Sequence, residues 1–296
     1  MMTSKVQSLE DFLAGRRPVA LAEVSGTRGS TPREKGAFML VSRAAIFGTI
    51  GGGQLEYMAI DKARQMLGAP ETGPGEKADG CATLDVPLGP EIGQCCGGRV
   101  EVTIRLVDPA LAAELVAAAR AVEAHLPYVY IFGGGHVGQS LASAVALLPV
   151  RVIVIETRAE ALEAMPESVE TRLTPMPEVE ARNAPAGTAF AILTHDHALD
   201  FLIVAEALKR DDTAYVGMIG SKTKKATFRT WFMKSADGSQ VQFGRLVSPI
   251  GGDAVKDKRP QVIAALAAAE IMTALVTHAA ASNAGHQAPY DAATGG

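Results

Sequence analysis

Two adjacent thiols, Cys95 and Cys96, stand in the run Gln94-Cys95-Cys96-Gly97-Gly98. Thiolates are soft metal ligands and sulfur nucleophiles, and small flexible neighbours leave backbone amides free to lower a thiol pKa or to surround an anion. No apolar run encloses the pair, which favours a functional reading over that of two small buried hydrophobes. Zinc is disfavoured, because there is no Cys-x-x-Cys spacing and Cys81 is the sole other thiol. A glycine cluster, Gly48-Thr-Ile-Gly51-Gly52-Gly53-Gln-Leu-Glu56, precedes a helical pattern as a phosphate-binding loop would, with Arg28 and Arg33 as nearby cations. It lacks the Gly-Lys-Ser/Thr ending that would hold a γ-phosphate and magnesium.

A second glycine turn, Gly133-Gly134-Gly135-His136-Val137-Gly138, fits G-x-G-x-x-G, and Glu156 closes the next apolar run. Gly133, Gly135 and Gly138 would allow a tight turn and close approach of a pyrophosphate, and Glu156 would accept a bond from a ribose hydroxyl. The alternative is that these glycines serve only strand-to-helix packing. Thr194-His195-Asp196-His197 offers a metal or acid–base site, although residues so close in sequence need not converge. Gly220-Ser221-Lys222 with Lys224 and Lys225 reads either as an anion site at a helix start or as a solvated basic face.

Elements must place these groups. Short β-rich runs, Val19 to Val24 and Ala37 to Val41, flank the turn Gly26-Thr-Arg-Gly-Ser-Thr-Pro32 and predict a strand pair. Leu55, Met58, Ala59, Ala63, Met66 and Leu67 make one buried helical face. Residues 71–80 read as an exposed loop, and Gly98 to Leu106 alternates like a half-buried strand. Asp108-Pro109 supplies an N-cap and a first-turn proline for an alanine-rich helix. Beyond it, apolar runs at 128–132, 151–155, 188–193 and 214–219 alternate with helical stretches, the pattern of a doubly wound parallel sheet. A last helix is expected from Pro260 to about His278. The predicted organisation is an N-terminal α+β domain (1–108), a linking helix (109–126), a Rossmann-like domain (127–280) and a flexible tail (281–296).

The chain has 296 residues, enough to bury a core without staples, and its net charge of −4 offers no general attraction for nucleic acid or anionic membrane. Three cysteines, two of them adjacent, suit no disulfide framework and point to the cytosol. The N-terminus lacks the pattern of a signal peptide, and no apolar run is expected to reach the ~18 residues of a membrane span.

Taken in order, Gly29-Ser-Thr-Pro-Arg33, Gly36-Ala-Phe-Met-Leu-Val41, Gly48 to Glu56, Cys96-Gly-Gly98, Ile131-Phe-Gly-Gly-Gly-His136, Thr194 to His197, Gly217-Met-Ile-Gly-Ser-Lys222 and Ser248-Pro-Ile-Gly251 resemble the xanthine dehydrogenase accessory protein family, XdhC/CoxI. The resemblance implies a cytosolic, dimeric chaperone that is not itself an enzyme. Such a protein binds molybdenum cofactor as cargo, protects it during sulfuration by a cysteine desulfurase and delivers it to the large subunit of xanthine dehydrogenase. It also makes the cysteine before Gly97-Gly98 a candidate cofactor contact. Many relatives carry Cys where Gln54 stands, and they continue Pro-Ile-Gly with Leu-Asp-Ile-Gly where this chain has Gly252-Asp-Ala-Val255. The candidate cofactor-binding residues are therefore Cys95, Cys96, Gly97, Gly51, Gly52, Gly53, Gly133, Gly135, Gly138 and Glu156, with no metal-ligand set. The rival is an NAD(P)-dependent oxidoreductase built on the second glycine turn, with His195 as acid–base; the resemblance implies no NAD(P) chemistry.

Overall fold

The structure, a computed structural model, describes residues 5–68, 80–89 and 97–286. It divides at Ala124/His125 into two units. Cys95, Cys96 and the expected loop at 71–79 lie outside the described residues.

In the first unit, α1 (Lys5–Gly15) precedes β1 (Val19–Arg28), β2 (Phe38–Ser42), β3 (Ile46–Gly48), α2 (Gly53–Gly68), β4 (Cys81–Pro87), β5 (Arg99–Leu106) and α3 (Pro109–Ala124). The strands form one antiparallel sheet in the order β3-β2-β1-β5-β4. Alternation along β1 and β2 splits their side chains between two cores. Ala20, Ala22, Val24, Met39 and Val41 meet Leu55, Ala59 and Ala63 of α2. Val19, Leu21 and Leu40 meet Leu9, Phe12 and Leu13 of α1 and Leu111 and Ala112 of α3. The helix expected to link two domains thus packs within the first unit. Asp108 caps it as its sequence position predicts, accepting from the Leu111 N–H at 2.7 Å. A β-bulge between Val24 and Gly26 shifts the pairing of β1 with β5.

The second unit holds β6 (Tyr128–Phe132), α4 (His136–Val145), β7 (Arg151–Glu156), a 3-10 turn (Ala159–Ala161), β8 (Glu170–Leu173), α5 (Pro177–Asn183), β9 (Ala189–Ile192), α6 (His197–Lys209), β10 (Tyr215–Met218), α7 (Lys222–Ser235), α8 (Gln240–Gly244), β11 (Leu246–Val247) and α9 (Pro260–His286). Its six strands pair in parallel in the order β11-β10-β9-β6-β7-β8. Read from β8, this is the 3-2-1-4-5-6 order of a dinucleotide-binding sheet, and the chain reverses direction between β6 and β9. Parallel strands are covered on both faces, which explains their unbroken apolar runs. Val129 and Ile131 face Leu141 of α4 and Ile271 of α9, whereas Tyr130 and Phe132 face Ile203 of α6 and Phe228 of α7.

Two expectations are corrected here. The last helix continues through residues 281–286 to His286, where a flexible tail was expected, because Ala279 to Ala281 favour helix. Its segment Pro260–Ser282, with mean hydropathy 1.7, is long and apolar enough to cross a membrane. Gln261, Glu270, Thr273, Thr277 and His278 interrupt its apolar run in the sequence. Ala264, Ala267, Ala268, Ile271 and Leu275 pack into the core of the unit, which accounts for the apolar residues on that one face of the helix.

Candidate functional site

The motifs of the first unit, scattered in sequence, meet at the β1–β2 loop. Gly98 lies so close beneath this loop that a Cβ there would stand 2.1 Å from the Ser30 carbonyl oxygen and 2.8 Å from that of Arg28. From the other side Gly51, at φ 127°, approaches Pro32 so closely that a Cβ would lie 2.7 Å from its Cγ. Gly97, at φ 65°, donates its N–H to the Leu88 carbonyl at 2.9 Å, and Leu88 returns an N–H to Gly98 at 2.8 Å. The segment that follows Cys95 and Cys96 in the chain is therefore fixed to the same loop as the first glycine cluster.

Within that cluster Gly51, Gly52 and Gly53 all take positive φ. The Ile50 N–H donates to Glu56 Oε1 at 3.0 Å and the Gly51 N–H to Thr49 Oγ1 at 3.1 Å, so two of the turn's amides are engaged by the protein itself. A small polar crevice on the same unit is lined by Gly26, Thr27, Arg28, Asp85, Arg99 and Glu101. Arg99 grips Asp85 through two bonds of 2.5 and 2.7 Å and holds its carboxyl below the usual range. Cys81 is exposed on β4, opposite Arg105.

In the second unit the fingerprint glycines divide their roles as the geometry of such turns requires. Gly133 takes φ 111°, and a Cβ on Gly138 would stand 1.9 Å from the Gly133 carbonyl oxygen. Gly135 caps α4 with no protein atom within 4 Å of its Cβ position. Glu156, 4% exposed, reaches back to this turn. It accepts from the Gly134 N–H at 2.8 Å, the Thr157 N–H at 2.7 Å and the Arg158 guanidinium at 3.1 Å. Burial pushes its pKa up, but these donors, Arg158 foremost, outweigh burial and bring it from 4.5 down to about 2. The carboxylate expected to read a ribose is thus spent on clasping the turn to the end of β7.

That shift predicts a pH signature. A folded pKa below the unfolded one gives stability that is complete above about pH 5, shrinks as pH falls towards 2, and is gone below it. Glu156→Gln should therefore cost about 3 kcal/mol at neutral pH and less than half as much near pH 3. Urea unfolding of wild type and variant at the two pH values checks this; an equal deficit at both would show that the clasp is not ionic.

Thr194 to His197 does not form a constellation. Asp196 caps α6, accepting from the Ala198 N–H at 2.8 Å, while His195 and His197 are exposed. No group of three His, Cys, Asp or Glu side chains able to hold a metal occurs among the described residues. Ser221 caps α7. Lys224, read from sequence as part of either an anion site or a solvated basic face, is buried and ion-paired with the fully buried Asp200. Asp200 also accepts from the Thr194 N–H at 3.1 Å and its hydroxyl at 2.7 Å. The sequence did carry a signal for this, since Lys224, Phe228 and Phe232 share one helical stripe. Farther along, the Tyr215 hydroxyl and the Gly251 N–H both donate to Glu270 Oε2, at 3.0 and 2.7 Å. This ties the Ser248–Gly251 motif to α9, and burial, with the Glu270 carboxylate beside it, pushes the Tyr215 pKa up.

Residues 129–271 match the family described as the XdhC Rossmann domain, and residues 12–73 match the XdhC and CoxI family. The chain belongs to the XdhC and CoxI family. Members of XdhC are accessory proteins, and the parallel-sheet unit of this chain is the XdhC Rossmann domain. Among curated relatives of this XdhC chain, the uncharacterized protein YqeB of Escherichia coli K12 is 27% identical over 266 residues. The match covers 86% of this chain and 43% of YqeB, so the chain spans less than half of that relative's length. A crystal structure described as a xanthine dehydrogenase from Bacillus halodurans shares the fold, with a TM-score of 0.75 at 17% identity over 93% of this chain and 96% of that one.

Proposed function

We propose that this XdhC-family chain is a cytosolic, homodimeric chaperone that binds molybdenum cofactor and shields it while a cysteine desulfurase renews its terminal sulfur. It then hands the cofactor to the large subunit of xanthine dehydrogenase. The observation that carries the reading is the meeting of three family segments at one loop, Gly98 beneath Ser30 and Gly51 against Pro32. A structure that holds both the backbone directly after two thiols and a glycine turn against one loop suits a cargo with a metal-bound sulfur at one end and a phosphate at the other. Affinity must remain finite, because a carrier that binds more tightly than the recipient retains its cargo. The oxidoreductase alternative is disfavoured by Glu156, whose carboxylate is committed to the turn and to Arg158.

Double substitution Cys95→Ala/Cys96→Ala should lower cofactor affinity at least about tenfold, the loss of one soft-ligand contact, without unfolding the chain. Bound molybdenum by elemental analysis and pterin fluorescence give the readout, and wild-type binding by the double variant would remove the thiols from the site. Delivery is tested by mixing cofactor-free xanthine dehydrogenase with sulfurated cofactor, with and without this protein. Faster or fuller activation in its presence supports the chaperone role, and equal activation refutes it.

A further inference from the structure

A cavity of about 540 Å3 opens in the first unit among Ser8, Arg33, Phe38, Phe47, Gly48 and Thr49. Its size falls within the range of small-molecule sites, roughly 300–1,000 Å3. Two of its walls are aromatic. Phe38 begins β2 and Phe47 lies in β3, each only partly buried, and Phe47 is braced from behind by Phe12 with ring centroids 5.8 Å apart. Elsewhere the wall is bare backbone. Gly48 cannot carry a side chain, because a Cβ would stand 2.8 Å from the Phe38 carbonyl oxygen at φ 81°. Gly36, at φ 90°, has no protein atom within 4 Å of its Cβ position.

Three of its lining residues are polar, Ser8, Arg33 and Thr49. Arg33 is exposed and its guanidinium makes no ion pair or hydrogen bond with any of the described residues. Thr49 accepts the Gly51 N–H, which leaves its own hydroxyl proton to donate, and Ser8 adds a second hydroxyl. Flat aromatic walls select a planar ring, hydroxyls read the heteroatoms on its edge, and an unpaired guanidinium takes an anionic oxygen group.

We infer that this cavity seats the planar pterin ring of the cargo, with Arg33 on its phosphate. The inference rests on the chaperone reading and locates the cargo within the first unit. A nucleotide also joins a flat heterocycle to a phosphate, so the test must separate the two.

The full-length chain is titrated with metal-free molybdopterin, followed by pterin fluorescence, and separately with AMP. The variants are Arg33→Ala, Ser8→Trp to fill the cavity, and Thr49→Val in case the tryptophan is not accommodated. Arg105→Ala on β5 is the control, and circular dichroism monitors the fold. The expected result is saturable molybdopterin binding, weakened at least about tenfold by Arg33→Ala and by either cavity variant, unchanged in Arg105→Ala, and much weaker for AMP. Wild-type molybdopterin binding that all folded cavity variants retain within twofold would overturn the cavity while leaving the chaperone reading intact. Failure of the wild type to bind molybdopterin would overturn both. Variant-sensitive binding of AMP in preference to molybdopterin would make the cavity a nucleotide site and end the pterin assignment.

Discussion

Gly98→Ala is expected to destabilise the first unit by about 4 kcal/mol or more and to take cofactor affinity with it. A methyl placed 2.1 Å from one backbone oxygen and 2.8 Å from another cannot be relieved by a side-chain rotation, because both obstacles are main chain. Either the β1–β2 loop lifts off, or β5 loses its register at the end where Arg28 pairs with Arg99. The comparison variant is Gly135→Ala in the second unit, where φ is −71° and the Cβ position is empty, so stability should change by no more than about 0.5 kcal/mol. Thermal and urea unfolding of the two variants decide the matter. Equal, small effects would mean that the contact between Gly98 and Ser30 is not a constraint.

Lys224→Met should cost about 3–5 kcal/mol, since it leaves the fully buried Asp200 charged and without its cation. The double variant Asp200→Asn/Lys224→Met should recover most of that loss. Its amide oxygen can still accept from the Thr194 N–H and hydroxyl, and no isolated charge remains. Denaturant unfolding of the two variants distinguishes this from loss of packing alone, because a purely steric defect would persist in the double variant.

How far these features could be read from sequence depends on whether their cause is local. The glycine turn at 133–138 and the strands beside it were legible, because buried parallel strands leave unbroken apolar runs and the turn has a fixed spacing. The helix α1 was overlooked although Val6, Leu9, Phe12 and Leu13 mark its buried face. The edge strand β8 left little trace, since its side chains are mostly exposed, whereas β4 carries its signal in the alternation of Ala82, Leu84 and Val86 towards the core with Thr83 and Asp85 outside. The bonds made by Glu156 were hidden for another reason. Its position after the second parallel strand is that of a ribose acceptor, and only the folded turn shows the Gly134 N–H and Arg158 already occupying it. Contacts such as Gly98 on Ser30 and Gly51 on Pro32 join residues far apart in the chain, so no window of sequence contains them. Cys95 and Cys96 lie outside the described residues, and their proposed role rests on thiol chemistry alone.

The pairing of β1 with β5 also bears on how the protein is made. β1 is a central strand whose second edge is closed only by β5, so Ala20 must wait for Leu106 and Arg28 for Arg99 to leave the ribosome. At ~5–20 residues per second that interval is on the order of ten seconds. Throughout it the nascent chain presents an apolar strand edge with unpaired amides and carbonyls, a template for pairing with neighbouring chains. Slow translation across β4 would lengthen that exposure, and yield in an overexpressing cell should depend on holdase capacity more than on the stability of the finished fold.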